Sequence, residues 1–460
     1  MLKRYIGDKA FYRHVMGIVI PIIIQNGITN FVSMLDNIMV GQVGTIPMSG
    51  VAIVNQLLFV FNLCVFGATS GAGIFTAQFY GSKDNTGIRY TFRFKILVGV
   101  LLAAAAIGLF LLAGPQLINL YLKGDGSAAD AASTLDYGMA YLKWMLIGLI
   151  PFALSNAYSG TLRETGQTLV PMAAGICAIF VNLILNYVLI FGHFGVPAMG
   201  VEGAALATVI SRFCEFAIVA FWAHTHRKAY PFVQGVYHSF RIPLQLLKNI
   251  IIKGMPLLLN EALWSTGMAF LNQCYSTRGL DVVAAFNISS TFSTLANVVF
   301  LSMGNAVGII MGQMLGSGAT REKIKEDNRK LLFAAVVSCL AFAVLAVVFS
   351  GVFPKLYNTS ENVRSVATGI ILVNASVMPF MAYLNACYFT MRSGGKTIIT
   401  FIFDSGFLWC IAAPLAFCLS RFTSIPIVPL YAICMAAECL KSFIGAYVLK
   451  TGAWIQNLTQ

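Results

Sequence analysis

Residues 156–168 read Asn-Ala-Tyr-Ser-Gly-Thr-Leu-Arg-Glu-Thr-Gly-Gln-Thr, and residues 385–397 read Asn-Ala-Cys-Tyr-Phe-Thr-Met-Arg-Ser-Gly-Gly-Lys-Thr, six identities in thirteen positions at an offset of 229. A second pair of segments, 21–81 and 256–316, aligns without a gap at an offset of 235, so that Pro21 meets Pro256, Gln78 meets Gln313 and Gly81 meets Gly316. Its nine identities in 61 positions would carry little alone, but the two blocks occur in the same order. A chain that repeats itself in this way is a duplicated unit whose copies share one orientation, related by an axis along the membrane normal if the units are membrane bundles.

Composition says that they are. Asp, Glu, Lys and Arg make up 10% of the 460 residues and hydrophobic residues 58%, whereas a soluble globular chain is about 25% charged. A water-exposed surface is excluded, so the chain is read as crossing a bilayer, each crossing taking about 20 apolar residues. Candidate spans lie near 15–40, 50–79, 94–119, 137–159, 168–191, 202–224, 250–276, 281–315, 331–353, 366–391, 397–420 and 426–449. The expected fold class is all-α and polytopic, with twelve transmembrane helices in two six-helix lobes related by a parallel internal repeat. Boundaries fall at 1–224 for the first lobe, 225–249 for a basic linker containing Pro231, Gly235 and Pro243, and 250–460 for the second lobe.

Of the 30 Lys and Arg, 22 lie in loops on the side of the N-terminus and 6 on the other, with Arg212 and Lys441 inside helices. Cytoplasmic loops hold the basic excess, which puts both termini in the cytoplasm and the chain in the cell membrane. The net charge of +13 is then a matter of topology, including the clusters that begin at Lys3 and Arg4; no nucleic-acid partner is expected, and a monomer among membrane lipids is. The first span lacks a small-residue cleavage pattern and is read as a helix, not a signal peptide. All ten cysteines fall within spans and no Cys-x-x-Cys, His-Glu-x-x-His or nucleophile elbow occurs, so neither an enzyme, a disulfide framework nor a structural metal site is expected.

An ionisable side chain at the centre of a membrane helix costs about 2.5–3.5 kcal/mol on insertion scales. Arg212 with Glu215, and Glu438 with Lys441, are three residues apart and are read as ion pairs within one helix. Asp36, Glu261 and Asp404 have no basic residue within a turn and become the functional candidates. Asp36 follows Gln25 by eleven residues, which returns to the same helical face. Pro21, before both, removes an amide donor and crowds the carbonyl of Gly17, inviting a kink. The fifth span contributes Asn182 and Asn186, four apart on one face, and the sixth Thr208. Glu261 and Asn272 repeat the eleven-residue spacing in the second half, opposite Asn26 and Asn37, while the counterpart of Asp36 is Leu271. Asp404 has Thr400 and Thr397 four and seven residues before it. Asp36, Asn182, Asn186, Thr208, Glu261 and Asp404 are thus the ion-coupling candidates, since carboxylates among neighbouring oxygens suit exchange of a proton or binding of sodium. Sodium, if it is the ion, is expected at Asp36. Gln25, Asn26, Met34, Asn260, Met268 and Asn272 are the candidate substrate contacts, polarizable Met walls being able to repack around different guests.

These residues resemble a known family. The run from Pro21 to Gly44 with Asp-Asn-Ile-Met-Val-Gly-Gln-Val-Gly at 36–44, Asn-Leu-Ile-Leu-Asn-Tyr at 182–187, Gly-Val-Glu-Gly-Ala-Ala-Leu-Ala-Thr at 200–208 and the Arg-x-x-Gly turns at Arg163 and Arg392 are similar to the multidrug and toxic compound extrusion family. The resemblance covers essentially the whole chain. It implies a cation-coupled exporter of small organic, mostly cationic and amphipathic compounds that works by alternating access between two lobes. It also implies that Asp36 is the coupling carboxylate, with Asn182 and Thr208 as partners, and that Glu261 corresponds to an acid on the seventh helix. Many members carry an Asp where this chain has Asn186. Asp404 has no counterpart in the family pattern and rests on its membrane cost.

The coupling ion, a proton or sodium, is the one small cofactor-like species expected. Two alternatives stay open at this point. A flippase for lipid-linked precursors, from a related superfamily, would want several Arg to hold phosphates, and the spans offer Arg212 alone. A scaffold or receptor that transports nothing would show no gradient-driven efflux.

Overall fold

The computed structural model describes residues 5–122 and 128–459, except for the side chains of Met34, Asn37, Ala128, Leu295 and Ala296. Lys3 and Arg4 of the first basic cluster, and the side chain of Met34, therefore lie outside the described residues. Helices account for nearly all of the rest, in the order α1 (Lys9–Gly41), α2 (Thr45–Gly81), α3 (Asn85–Tyr121), α4 (Ala128–Ile147), α5 (Leu149–Glu164), α6 (Leu169–Phe191), α7 (Gly200–Thr225), α8 (Leu244–Ser276), α9 (Leu280–Gly316), α10 (Arg321–Phe349), α11 (Glu361–Ser393), α12 (Thr397–Phe422) and α13 (Ile427–Thr451). Ten of them are long and apolar enough to cross a bilayer, and α4 with α5, bent by 46°, makes an eleventh crossing. The twelfth is α8, whose Lys248, Lys253, Asn260 and Glu261 dilute its apolar character. No strand occurs among the described residues.

The distribution of side chains is that of a protein solvated by hydrocarbon. Leu101, Leu112, Phe221 and Val348 are exposed, while Ala103, Ala157, Ala205, Ala207, Ala306 and Ala386 are buried. Lipid tails solvate a leucine as well as a protein core does, so helices associate instead through close packing of small residues and through polar contacts.

The chain divides into two compact units. One holds residues 24–76 and 85–250, which is most of the first half of the repeat; the other holds the chain up to Ile23, residues 77–84 and everything from Ile251 on. Residues 225–249, read as a basic linker, lie in the first of these units, where arginines of α3 take up the carbonyls of its turns. Arg89 Nη2 donates to Pro231 O at 3.2 Å, and Arg93 donates to Gly235 O at 2.8 Å and Val236 O at 3.0 Å. The Tyr158 hydroxyl of α5 closes the segment against Tyr237 and lies 2.9 Å from His224 Nε2. α1 runs as one helix through Pro21, and the division between units falls two residues after it.

In the C-terminal unit the last turns of α2 and α9 cross at residues that the repeat had paired. A Cβ on Gly81 would overlap the carbonyl of Gln313, and a Cβ on Gly316 would overlap the carbonyl of Gln78. The crossing is therefore possible only with glycine at both places. Gln78 is fully buried there: its Nε2 donates to Ser393 O at 2.8 Å and Gln456 O at 3.2 Å, and its Oε1 accepts from Leu458 N at 2.7 Å. The tail beyond α13, with Trp454 fully buried, thus ties down the end of α2. Because the obstacle is backbone, Gly316→Val should cost about 1–3 kcal/mol, as overpacking of a filled contact does. It is expected to lower the thermal unfolding midpoint in detergent, whereas Gly108→Ala, where nothing lies within 4 Å, should not; equal midpoints for both variants would refute the close crossing.

Candidate functional site

Close approach of α6 and α7 creates the first polar cluster. The two helices form a hairpin whose turn needs left-handed backbone at Gly192 (φ 76°) and Gly200 (φ 55°), and Met199 N donates to Leu189 O at 2.9 Å. Gly203 of α7 lies so near the backbone of Leu189 that a Cβ would come within 2.7 Å of it. With the helices this close, Asn182 and Asn186 of α6 and Thr208 of α7 share one interior face. Asn182 is 7% exposed and Asn186 2%.

Asp36 of α1 enters that face. Asn186 Nδ2 donates to Asp36 Oδ1 at 2.8 Å. The Asn182 amide satisfies its neighbours when its nitrogen faces the carboxylate, donating to Oδ1 at 3.0 Å and Oδ2 at 3.1 Å while its oxygen sits 3.2 Å from Thr208 Oγ1. Asn186 Oδ1 is buried with no hydrogen-bond partner among the described residues. Tyr141 of α4 lies alongside, its hydroxyl hydrogen-bonded to Asn55 Oδ1 at 3.3 Å and to Thr208. The three residues expected around Asp36 from the sequence, Asn182, Asn186 and Thr208, are therefore together with it. Asn55 and Tyr141 were missed, because neither costs enough in lipid to stand out in the sequence.

Gln25 shares the helical face of Asp36 but is engaged elsewhere. Arg163 Nη2 donates to its Oε1 at 2.8 Å, and Glu215 lies in the field of Arg163, Ser155 and Arg212. Arg212 stands 5.0 Å over the ring of Phe152, with Nη1 3.4 Å from Gly148 O. Arg212 and Glu215, read as an ion pair within one helix, attract one another, while the guanidinium lies against another helix, where an aromatic face and a carbonyl receive it.

The second cluster lies in the other unit, on α8, α11, α12 and α13. Asn260 Nδ2 donates to Asp404 Oδ2 at 3.0 Å and lies 3.4 Å from Tyr388 Oη, and Asn260 Oδ1 accepts from Ser405 Oγ at 2.7 Å. Asp404 and Ser405 fall in a stretch of π-helix, Ile402–Gly406, followed by another at Leu408–Ala412. Such wide turns re-aim side chains and recur at functional sites. Glu261, next to Asn260, lies in the field of Arg392 and Asp404. Lys441 contacts Glu438, the pairing expected from their spacing, and its Nζ is also 4.0 Å from Asp404 Oδ1. Asp404 has no base within a turn of its own helix but has one on its neighbour. Asn272 and Met268 are exposed on α8, and Asn26 is half-buried on α1. Thr400 hydrogen-bonds the carbonyl of Thr397 at 2.8 Å, and both threonines are buried.

A polytopic all-α chain with a half-buried, carboxylate-centred polar cluster in each half of a parallel repeat has the architecture of a membrane transporter. The MatE family profile matches residues 21–188 and 256–418, both halves of the repeat. The chain belongs to the MatE family. It is 22% identical over 446 residues to a probable multidrug resistance protein NorM of Thermotoga maritima, covering 96% of this chain and 93% of that protein. It is 24% identical over 425 residues to a probable multidrug resistance protein YoeA of Bacillus subtilis, covering 91% and 89%. The solved structure of a MOP superfamily transporter from Pyrococcus furiosus matches its fold with a TM-score of 0.84 at 18% identity, covering 98% of this chain and 97% of that one.

If Asp36 and Asn186 belong to one network, their substitutions are not additive. A double-mutant cycle of Asp36→Asn and Asn186→Ala, read by unfolding in detergent, should give a coupling energy of about 0.5–3 kcal/mol. Additive losses would separate the two residues.

Proposed function

We propose that this chain is an antiporter of the cell membrane, with both termini cytoplasmic, that exports small organic, mostly cationic and amphipathic compounds in exchange for a proton or sodium, by alternating access. The observation that carries the reading is Asp36, a carboxylate within a membrane helix whose neighbours are neutral. None of the ion pairs among the described residues involves it. A buried charge held only by amides and a hydroxyl is expensive to keep unless its neutralisation is part of the work.

The neighbours suit either ion. An Asn side chain presents N–H to a bare carboxylate or, turned over, C=O to a cation, and Thr offers both functions. With Asp36, Asn182, Asn186 and Thr208 the site has only oxygens to offer a metal ion, the chemistry that sodium takes, and the unpartnered Asn186 Oδ1 is an oxygen in place for it. A proton needs only the carboxylate. Coupling follows in both cases, because a change in the charge of Asp36 changes how well the interior accepts a cationic guest, and linkage makes the effect mutual. The names of relatives as multidrug resistance proteins support export of foreign organic compounds. The base-poor spans argue against a phosphate-bearing lipid as cargo.

Efflux of a fluorescent organic cation from reconstituted vesicles is the test, driven first by a sodium gradient at fixed pH and then by a pH gradient without sodium. One of the two should drive transport, and Asp36→Asn should insert normally yet fail to export against a gradient. Efflux at the unmutated rate in that variant would remove the coupling site from Asp36. A separate expectation concerns Glu261: Glu261→Gln should weaken export of cationic substrates more than neutral ones at normal protein abundance, and an equal loss for both would assign it to packing.

A further inference from the structure

The two clusters are built on corresponding helices. α1, α6 and α7 are the first, fifth and sixth spans of their half, and α8, α12 and α13 are the first, fifth and sixth of theirs. Each brings a carboxylate to an amide: Asp36 to Asn186, and Asp404 to Asn260. They differ in what completes the charge. Asp36 meets neutral groups, whereas Asp404 meets the ammonium of Lys441, 4.0 Å from its Oδ1.

Lys441 is placed for this. Its side chain is 9% exposed, and it begins the second half of α13, where the helix is interrupted at Leu440 between Ile427–Cys439 and Lys441–Thr451. Its Nζ contacts Glu438 and stands 5.2 Å over the ring of Phe407 on α12. The charged and titratable groups around the pair are Glu438 and Cys439 on the same helix, Glu261 on α8, and Tyr388 and Arg392 on α11. A lysine drawn to one carboxylate of its own helix would need no second one. Here the same ammonium faces two, and the second lies on the helix that corresponds to α6.

We propose that Lys441 is a built-in counter-ion for Asp404. Its ammonium does in the C-terminal unit what an exchangeable cation does at Asp36, so this unit takes up no coupling ion, and a single ion drives the cycle. The inference rests on the reading of Asp36 as the coupling site. It assigns Lys441 a positioning role: it fixes the charge of Asp404 and thereby the number of ions bound. Removal of the ammonium would leave two half-buried carboxylates without their cation, a costly arrangement that a second ion from solution would relieve.

Equilibrium ion binding by the purified protein in lipid nanodiscs tests this without transport, with sodium titrated by calorimetry and protons counted with an indicator dye across a pH step. Wild type and Lys441→Arg should bind a single coupling ion, and Asp36→Asn none. Lys441→Met should bind a second ion of the same kind, and adding Asp404→Asn to it should abolish that ion. A folded Lys441→Met with the wild-type stoichiometry overturns the proposal, as does a second ion that survives in the double variant. If Lys441→Met alone fails to accumulate, recovery of the double variant supports the counter-ion role, and failure to recover contradicts it. Retention of the ion in Asp36→Asn would instead sink the proposed coupling site, so the two failures are told apart.

Discussion

A charge withdrawn from water must find a partner, and in this chain that requirement decides which helices meet. Lys95 of α3 is 1% exposed and contacts Glu164 of α5. Arg163 reaches Gln25, Asp36 is met by the two asparagines of α6, and Asp404 by Asn260 and Lys441. Apart from Lys441 with Glu438, these contacts join different helices. Apolar packing against lipid has little preference among helix faces; a carboxylate or guanidinium has a strong one. Each polar contact is worth a modest amount when made, but leaving the group alone costs several times more. The polar residues thus select the arrangement that the small residues then fill.

Duplication supplies the frame and substitution supplies the difference. Gly81 and Gly316 close the crossing of α2 and α9 with the same geometry seen from either side, each against the glutamine that the repeat assigns to the other. The polar clusters keep the same helices but not the same charges. In one, the interior holds a carboxylate among neutral groups; in the other, Glu261, Asp404 and Glu438 stand against Arg392 and Lys441, one carboxylate more than there are cations. Two copies of one ancestral bundle have come to do different electrostatic jobs.

Much of this was legible in the sequence, for reasons that are physical. The spans were, because hydropathy is a sum over many residues, although the helices run past the apolar stretches: α1 covers 9–41 where the apolar segment was 15–40, since leaving the hydrocarbon does not break a helix. Asp36 with Asn182, Asn186 and Thr208 was, because an acid without a base within a turn must look to neighbouring helices and the asparagine spacing marked one face. The second partner of Lys441 was not: the spacing to Glu438 satisfied the lysine on paper, and Asp404 lies on another span. Nor could a 100° helical rule foresee the π-helical turns at Ile402–Gly406, which shift every later side chain. The contact of Arg212 with Phe152 was not legible for a related reason, since the aromatic face lies on another helix while the acid it also attracts is three residues away. The segment 225–249 read as a basic linker by its prolines and charge; that its carbonyls receive Arg89 and Arg93 was not marked by any spacing in the sequence.

Transport in this chain turns on Asp36 as the group whose charge is exchanged under the proposed coupling. Infrared difference spectroscopy of the protein in lipid, stepping pH and then sodium, observes that event directly and independently of transport. The account predicts a carboxyl or carboxylate band that responds to the coupling ion in wild type and is missing in Asp36→Asn. A difference spectrum unchanged by the substitution would contradict it.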